Sequence, residues 1–501
     1  MRFRRGLFLI PVGLLAAVLL VVCGRFLASY RPPAGRPTKT TGSAPVSLSG
    51  PAPTAASLRA SAESANVVIV VLDAARADHF GCYGYPRDTT PNVDRIAEQS
   101  LLFEQHFSQF PHTRPSTTSL FTGQYPDTHG VQGLSGSIPK GFTLAGALGS
   151  AGYETAFISG SGVASPAMGL GDDFGFVSAR TSGAGRGVRS AAPRRDPEQV
   201  LDDLSSWLDR RRQERFLAYL HFLPPHGPRN PPAEMVQLFA GKKPPYLWRG
   251  RFVYREIKPV FKEKLERRPR DEANLYDADL RYADWAVGEV VKLLEKRSLL
   301  ENTLLIITSD HGEAFGEHGY LGHRDGLYDE HVHIPLVMRF PGARKPVGRV
   351  RALTETVDLL PTVLDLLALP IPKSVQGRSL VPLITGETPA VHDFVFARAE
   401  GAPESYLVRD QRWAMILFKG GRLRALYNLR DDPWQTRNVV AQQSAQAARM
   451  AAAFTSFARR QQYPPLDFVD PDWKPERRPP AARLKLSNDQ KRELKALGYL
   501  K

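Results

Sequence analysis

Two apolar segments of the chain end in groups that bind cations. "VVIVVLD" closes on Asp73, and "LLIITSDHGE" carries the adjacent pair Asp310 and His311. Two carboxylates and one imidazole form a donor set for a divalent metal. A third segment, "FPHTRPSTTSLFTGQYP", holds Thr113 two residues before Pro115. Pro115 fits the first position of a helix, which predicts Thr113 just ahead of a helix N-terminus, where free backbone N–H groups favour negative charge. A threonyl hydroxyl is a poor nucleophile at neutral pH. A cation on its oxygen would lower its pKa and would also polarise a phosphoryl or sulfuryl oxygen. Thr113, Asp73, Asp310 and His311 could therefore share one ion.

Each residue alone also has an ordinary explanation. Ser or Thr ahead of Pro commonly caps a helix, and a strand-end aspartate is commonly a turn residue or a cap. The Asp310–His311 pair after an apolar strand is harder to explain structurally. His226, in "PPHGP", divides evenly between a functional and a local structural role. His221, on the apolar segment "FLAYLHF", reads as a satisfied core histidine rather than a ligand. His79 and His129 sit in turn-like surroundings and read as local hydrogen-bonding residues. His331 and His333 flank "HIPLV" and are not expected to ligate, and Cys82 reads as packing.

These residues need a scaffold that gathers strand ends. Asn66–Asp73 is a continuous β-branched run, the pattern of a strand covered on both faces. Helical spacing follows in "TPNVDRIAEQSLLFEQHF". "FTLAGALGSAGYETAFISG" and "PEQVLDDLSSWLDRRRQERFLAYLHF" each read as helix then strand. So does "LYDADLRYADWAVGEVVKLLEKRSLLENTLLIITSD", with "HIPLVMRFPG" a further strand and "LLPTVLDLLALP" a further helix. This alternation predicts an α/β fold with a mostly parallel sheet flanked by helices, in which ligands collect beyond the carboxyl ends of the strands. From about Val391, "DFVFARA", "ESYLVRD", "WAMILFK" and "RALYNLRDDP" predict a smaller antiparallel subdomain. Arg180–Asp196 reads as a mobile loop, and the basic stretch Lys242–Arg270 reads as an exposed insertion rather than a lid.

The chain has 501 residues, a net charge of +15 and a pI near 9.8. Such a balance suits an anionic substrate, a membrane surface or nucleic acid, and equally an Arg-rich source proteome. No zinc-finger spacing or RNP-type aromatic signature is present, so nucleic acid is not expected as a partner. With only Cys23 and Cys82, a disulfide framework is excluded. Arg2, Arg4 and Arg5 precede an apolar run from Gly6 to Gly24, just long enough to span a bilayer. The basic flank predicts a cytoplasmic N-terminus with the bulk exported. An uncleaved signal anchor is favoured over cleavage or lipidation at Cys23, since no small-x-small site closes the run. Residues 25–66, rich in Pro, Ala and Ser, read as a disordered tether. The expected organisation is an anchor over 1–24, a linker over 25–66, a catalytic domain over 67–390 and a C-terminal subdomain over 391–501.

The ordered blocks resemble the sulfatase family of the alkaline phosphatase superfamily. Val67 to Gly123, "LHFLPPHGPRNPP", "TSDHGEAFGEHGYLGHRDGLYDEHVHIPLV", "LYNLRDDPWQTRNV" and "LKALGYL" each look like a family block, covering the chain from about Val67 onward. The resemblance implies an alkaline-phosphatase-like fold and hydrolysis of sulfuric or phosphoric esters. It implies that Asp73, Thr113, Asp310 and His311 hold one metal, with Thr113 at the nucleophile position. It implies that His226 contacts the substrate ester and His323 binds the transferring group.

The chain departs from the family pattern at four positions. Thr113 stands where the best-known members carry the Cys or Ser that becomes formylglycine, and Thr117 stands in place of the Arg of that signature, so formylglycine is not expected. Ala74 replaces the second of two successive aspartates. His311 replaces a common Asn, which favours Zn²⁺ or Mn²⁺ over Ca²⁺. A Thr nucleophile with Asp-His ligands also resembles the phosphoethanolamine transferases and phosphodiesterases of the superfamily. A non-catalytic protein that binds sulfated or phosphorylated polymers is the remaining alternative.

Overall fold

All seven residues of the strand Asn66–Leu72 are buried, as a β-branched run demands when helices cover both of its faces. The computed structural model describes residues 46–133, 141–166, 169–179, 195–242, 269–323, 325–342, 346–400, 404–418 and 424–461. Asn66–Leu72 lies near the middle of a nine-stranded sheet. In chain order its strands are β1 (Val46–Leu48), β2 (Asn66–Leu72), β3 (Leu101–Phe103), β4 (Glu154–Ser159), β5 (Phe176–Ala179), β6 (Phe216–Phe222), β7 (Thr303–Ser309), β8 (Leu336–Arg339) and β9 (Gly348–Val350). Their spatial order is β1-β9-β3-β8-β7-β2-β6-β4-β5. The block β7-β2-β6-β4-β5 is parallel throughout, and β8 is antiparallel to both of its neighbours.

Strand alternation builds a separate core on each face. Val67, Ile69 and Val71 of β2 join Leu304 and Ile306 of β7 in one cluster. It is completed by α1 (Ala55–Ala62), α3 (Thr113–Thr122), α4 (Leu144–Ser150) and α8 (Leu359–Leu366). Val68, Val70 and Leu72 point the other way, with Leu305 and Ile307. They meet α2 (Pro91–Ala97), α5 (Pro197–Arg210) and α7 (Pro269–Lys296). Helix α6 (Ala233–Phe239) follows the His226 loop.

The folded body begins earlier than the tether reading of 25–66 placed it. β1 pairs with β9 at the sheet edge, and α1 buries Leu58 and Ala62. A segment too poor in apolar residues to fold alone needs only a few of them to add to a surface that already exists. The helix expected across "TPNVDRIAEQSLLFEQHF" is also shorter. It stops at Ala97 and the chain turns into β3, because Leu101 and Leu102 pair with β8 and β9. The expected anchor over 1–24 lies outside the described residues, as do residues 180–194 of the predicted loop and 243–268 of the basic insertion. Among the described residues no helix is long and apolar enough to cross a membrane.

The C-terminal sheet, β10 (Val395–Ala399), β11 (Ser405–Arg409), β12 (Trp413–Phe418) and β13 (Arg424–Asn428), is antiparallel in sequence order. Helix α9 (Ser444–Gln461) packs Met450, Phe454 and Phe457 with its Tyr406, Val408 and Met415. A buried polar cluster ties this sheet to the segment entering α3. The N–H of Phe396 donates to Glu355 Oε1 at 2.9 Å, the Tyr125 hydroxyl donates to Glu355 Oε2 at 2.5 Å, and Gln109 Oε1 accepts from the N–H of Val357 at 3.2 Å. His392 Nε2 lies 2.9 Å from Asp358 Oδ2 and 3.7 Å from Glu355 Oε2.

Burial opposes the charge on His392, but the Asp358 and Glu355 carboxylates outweigh it and push the imidazole up to about 9. Burial, opposed by His392 and helped by Asp358, raises Glu355 as well. Both groups hold protons in the folded protein that the unfolded chain releases sooner. The His392 contribution is thus complete below its unfolded pKa near 6.5 and is lost as pH rises through about 9. The thermal midpoint should fall between pH 6.5 and 9, and His392→Gln should flatten that fall. A thermal-melt series across this range checks it; equal slopes in the two proteins would exclude the cluster as the source.

Candidate active site

β2 and β7 are adjacent and parallel, with Leu72 opposite Ser309. The residues that follow, Asp73 and Asp310, therefore leave the sheet side by side, one strand spacing apart. Both are buried. The chain turns at once after Asp73, with Ala74 in the left-handed region at φ 63°. The Ala74 N–H donates to Asp310 Oδ1 at 3.0 Å, as does the His311 N–H at 2.9 Å. The other oxygen, Asp310 Oδ2, has no hydrogen-bond partner among the described residues. Gly312 follows because nothing larger fits: a Cβ there would stand 2.2 Å from the carbonyl oxygen of Glu330.

Thr113 is the first residue of α3, whose ten residues are all buried. Pro115 occupies the third helical position rather than the first. Its missing N–H costs nothing there, since the first four N–H groups of a helix have no intrahelical partner. The Thr113 hydroxyl still opens the helix. Its Oγ1 lies 3.4 Å from Asp73 Oδ1 and 3.3 Å from His311 Nε2. His311 Nε2 is in turn 3.6 Å from Asp73 Oδ1 and 3.5 Å from Asp310 Oδ2. The structure thus brings together all four residues that the sequence grouped.

The spacing suits a metal. Tetrahedral donors about 2.1 Å from a zinc stand about 3.4 Å from one another. His311 Nδ1 faces the Gly312 carbonyl oxygen at 2.9 Å and donates to it, which leaves the Nε2 lone pair facing the two carboxylates. Lone pair and carboxylates repel unless a positive charge lies between them. The donors present therefore fit a divalent cation.

His221 is a buried histidine with both ring nitrogens engaged, as expected, but one of its partners is Asp73. It stands on β6 in register with Val71, and its Nε2 lies 3.1 Å from Asp73 Oδ2. Its Nδ1 faces the Tyr219 hydroxyl at 2.8 Å. Asp73, His221 and Asp310 also present donor atoms that all lie within 4.8 Å of one another. Because Nε2 is engaged by Asp73 Oδ2, the Tyr219–His221 pair orients that carboxylate so that Oδ1 faces Thr113. Burial opposes ionisation of Asp73, yet the His226, His221 and His311 imidazoles hold it well below the usual carboxylate range. Burial likewise opposes charge on His221, and Asp73 raises it. A signal for His221 exists in the sequence, since it stands one residue before its strand's end on the face that Asp73 shares. Reading it requires knowing that β6 neighbours β2.

His226 and His323 form the wall beside the donor set. The His323 ring stacks on His311 with centroids 4.3 Å apart and lies 4.8 Å from His226. His226 Nδ1 lies 2.5 Å from the Gly227 carbonyl oxygen, which turns Nε2 to the far side of the ring. His112 adds a fourth imidazole, 6.0 Å from His323, which the sequence reading did not single out. Other histidines lie elsewhere. His79 reaches across the chain to Asp277 at 2.7 Å rather than bonding locally, His129 contacts Ser119 and the Val131 N–H, and His318 pairs with Glu330. His333 meets the Glu104 carbonyl.

The sulfatase family model matches residues 65–369. A second, described as N-sulphoglucosamine sulphohydrolase, C-terminal, matches residues 316–457. The chain is 26% identical over 346 residues to an ulvan-active sulfatase of Formosa agariphila, covering 65% of this chain and 66% of that protein. It is 22% identical over 437 residues to an arylsulfatase of Clostridium perfringens, covering 75% and 90% respectively. The fold superposes on the phosphonate monoester hydrolase of Agrobacterium radiobacter with a TM-score of 0.66 at 23% identity, over 79% of this chain and 96% of that one.

Asp310→Asn should abolish stoichiometric metal uptake, because it removes the charge that the unpartnered oxygen presents. His221→Ala should weaken uptake by about 10- to 100-fold through loss of the group that orients Asp73. Metal analysis with competing chelators measures both; wild-type affinity in either variant would contradict the assignment.

Proposed function

We propose, since this chain belongs to the sulfatase family and so to the ester hydrolases, that it cleaves sulfuric or phosphoric esters with Thr113 as nucleophile. The observation that carries this is the convergence of Thr113 Oγ1 with Asp73 Oδ1 and His311 Nε2 at 3.3 to 3.6 Å. A binding protein has no need of a hydroxyl at that point. Asp73, Thr113, Asp310 and His311 would hold one divalent cation, with Zn²⁺ or Mn²⁺ favoured by the imidazole donor and Ca²⁺ less suited. Bound there, the cation would lower the pKa of the threonyl hydroxyl and draw charge from the ester oxygens.

In the proposed first step Thr113 loses its proton to solvent and its oxygen forms a bond to sulfur or phosphorus. The bond from that atom to the ester oxygen breaks, and the leaving oxygen keeps the electron pair. His226 gives that oxygen a proton from Nε2. His323 and the first N–H groups of α3 stabilise charge on the equatorial oxygens. In the second step water attacks the same atom, His226 recovers a proton from it, and the Thr113 oxygen is released. An acceptor alcohol in place of water would make the protein a transferase. Phosphorus esters are favoured over sulfate by Thr113 in place of a formylglycine precursor. Export with an N-terminal membrane anchor is proposed from the basic flank and apolar run at the start of the chain.

A panel of 4-nitrophenyl sulfate, phosphate, phosphodiester and phenylphosphonate, each with Zn²⁺, Mn²⁺ and Ca²⁺, identifies the reacting atom. Thr113→Ala should lower turnover of the best substrate by about a thousandfold or more with the thermal midpoint unchanged. Full activity in that variant would refute the nucleophile. The intact mass should match an unmodified threonine, and aldehyde-reactive probes should not label the protein.

A further inference from the structure

Arg229 stands three residues beyond His226 and is buried among opposite charges. Its Nη2 pairs with Glu313 Oε2, and its Nη1 donates to Glu272 Oε2 at 2.8 Å. The guanidinium lies 5.4 Å from the ring centroids of both Tyr276 and Phe315. The side chains of Arg229 and Glu313 are each only 8% exposed. Removing such a pair from water is costly, so a role other than stability is worth seeking. Glu313 Oε1 lies 3.6 Å from His323 Nδ1. One carboxylate therefore touches the loop of His226 through Arg229 and the loop of His323 directly.

Neither imidazole stands on a long element. His226 follows the end of β6 in a turn, and His323 follows the two-residue strand Leu321–Gly322. Their ring centroids are 4.8 Å apart, a spacing that the local backbone of either loop does not set. The Glu272 contact anchors the tie to α7, a helix of 28 residues. The 3.6 Å separation is an ion-pair distance that substrate binding can shorten to a hydrogen bond.

We propose that Glu313 is the positioning residue for His323, and that the Arg229–Glu313 pair sets the separation of the His226 and His323 imidazoles. This rests on the reading that both imidazoles face the transferring group. Glu313 stands outside the group of donor atoms that could hold a metal, so its loss should leave metal content alone.

The test is a mutant cycle in the full-length protein, read with whichever 4-nitrophenyl ester it turns over. Glu313→Gln should lower kcat by about 10- to 100-fold, with KM little changed, one metal retained and the thermal midpoint preserved. Added to His323→Ala, it should cause no further loss, because the group it positions is already gone. Multiplicative losses, wild-type kcat in Glu313→Gln, or loss of metal would each overturn the proposal. If Glu313→Gln does not fold, the same cycle with Arg229→Lys must show the same non-additivity; multiplicative losses there overturn it equally. Thr113→Ala run alongside separates the two claims. Full turnover in that variant sinks the nucleophile reading, whereas a dead Thr113→Ala with an additive cycle sinks only the role of Glu313.

Discussion

Two carboxylates, Asp73 and Asp310, face each other in a buried space at the ends of neighbouring strands. Like charges in such surroundings repel strongly unless positive charge stands among them. Most of the local architecture answers that repulsion. His221 takes one oxygen of Asp73, the Ala74 and His311 N–H groups take one oxygen of Asp310, and α3 begins at Thr113 beside them. What is left over is one oxygen on each carboxylate, one imidazole lone pair and one hydroxyl. That remainder has the spacing of a cation's donor shell.

The sheet supplies the rigidity this arrangement needs. β2, β6 and β7 are packed on both faces, so Asp73, His221 and Asp310 project from parts of the chain with little freedom to move apart. Gly312 lets the backbone pass beneath Glu330 and turns His311 back over the strand ends. The wall beside the donor set is built differently. His226 and His323 stand on short loops, and a buried ion pair from Glu313 to Arg229 does for them what the ladder of hydrogen bonds does for the aspartates. The C-terminal sheet bears on the centre more distantly, through Glu355 and Gln109 and the segment that leads into α3.

Much of this was legible because the physics is local. A β-branched run that ends in Asp marks a strand end, and Asp-His-Gly after a second such run marks another. Thr-x-Pro marks a helix start within two residues. The places where reading and structure differ all involve distance. His221 is core, as its apolar strand implies, but its partner was not legible. Only its pairing with β2 sets its ring against Asp73. The segment from Val46 to Ala62 looked like tether because its few apolar residues are too sparse to fold alone, yet β9 and the surface beneath α1 were already there to receive it. The helix expected across Thr90–Phe107 stopped at Ala97 because β8 and β9 claim Leu101 and Leu102.

Periodicity and composition by themselves pointed to the fold class and the antiparallel C-terminal sheet, since each depends on residues close together in the chain. Tertiary structure alone decided which strands are neighbours. From that order come the contact of His221 with Asp73, the stacking of His323 on His311 and the bridge from Arg229 to Glu313. The reason is that burial and side-chain alternation tell a strand which faces to hide, while its choice of neighbour is set by how helices of particular length return the chain to the sheet.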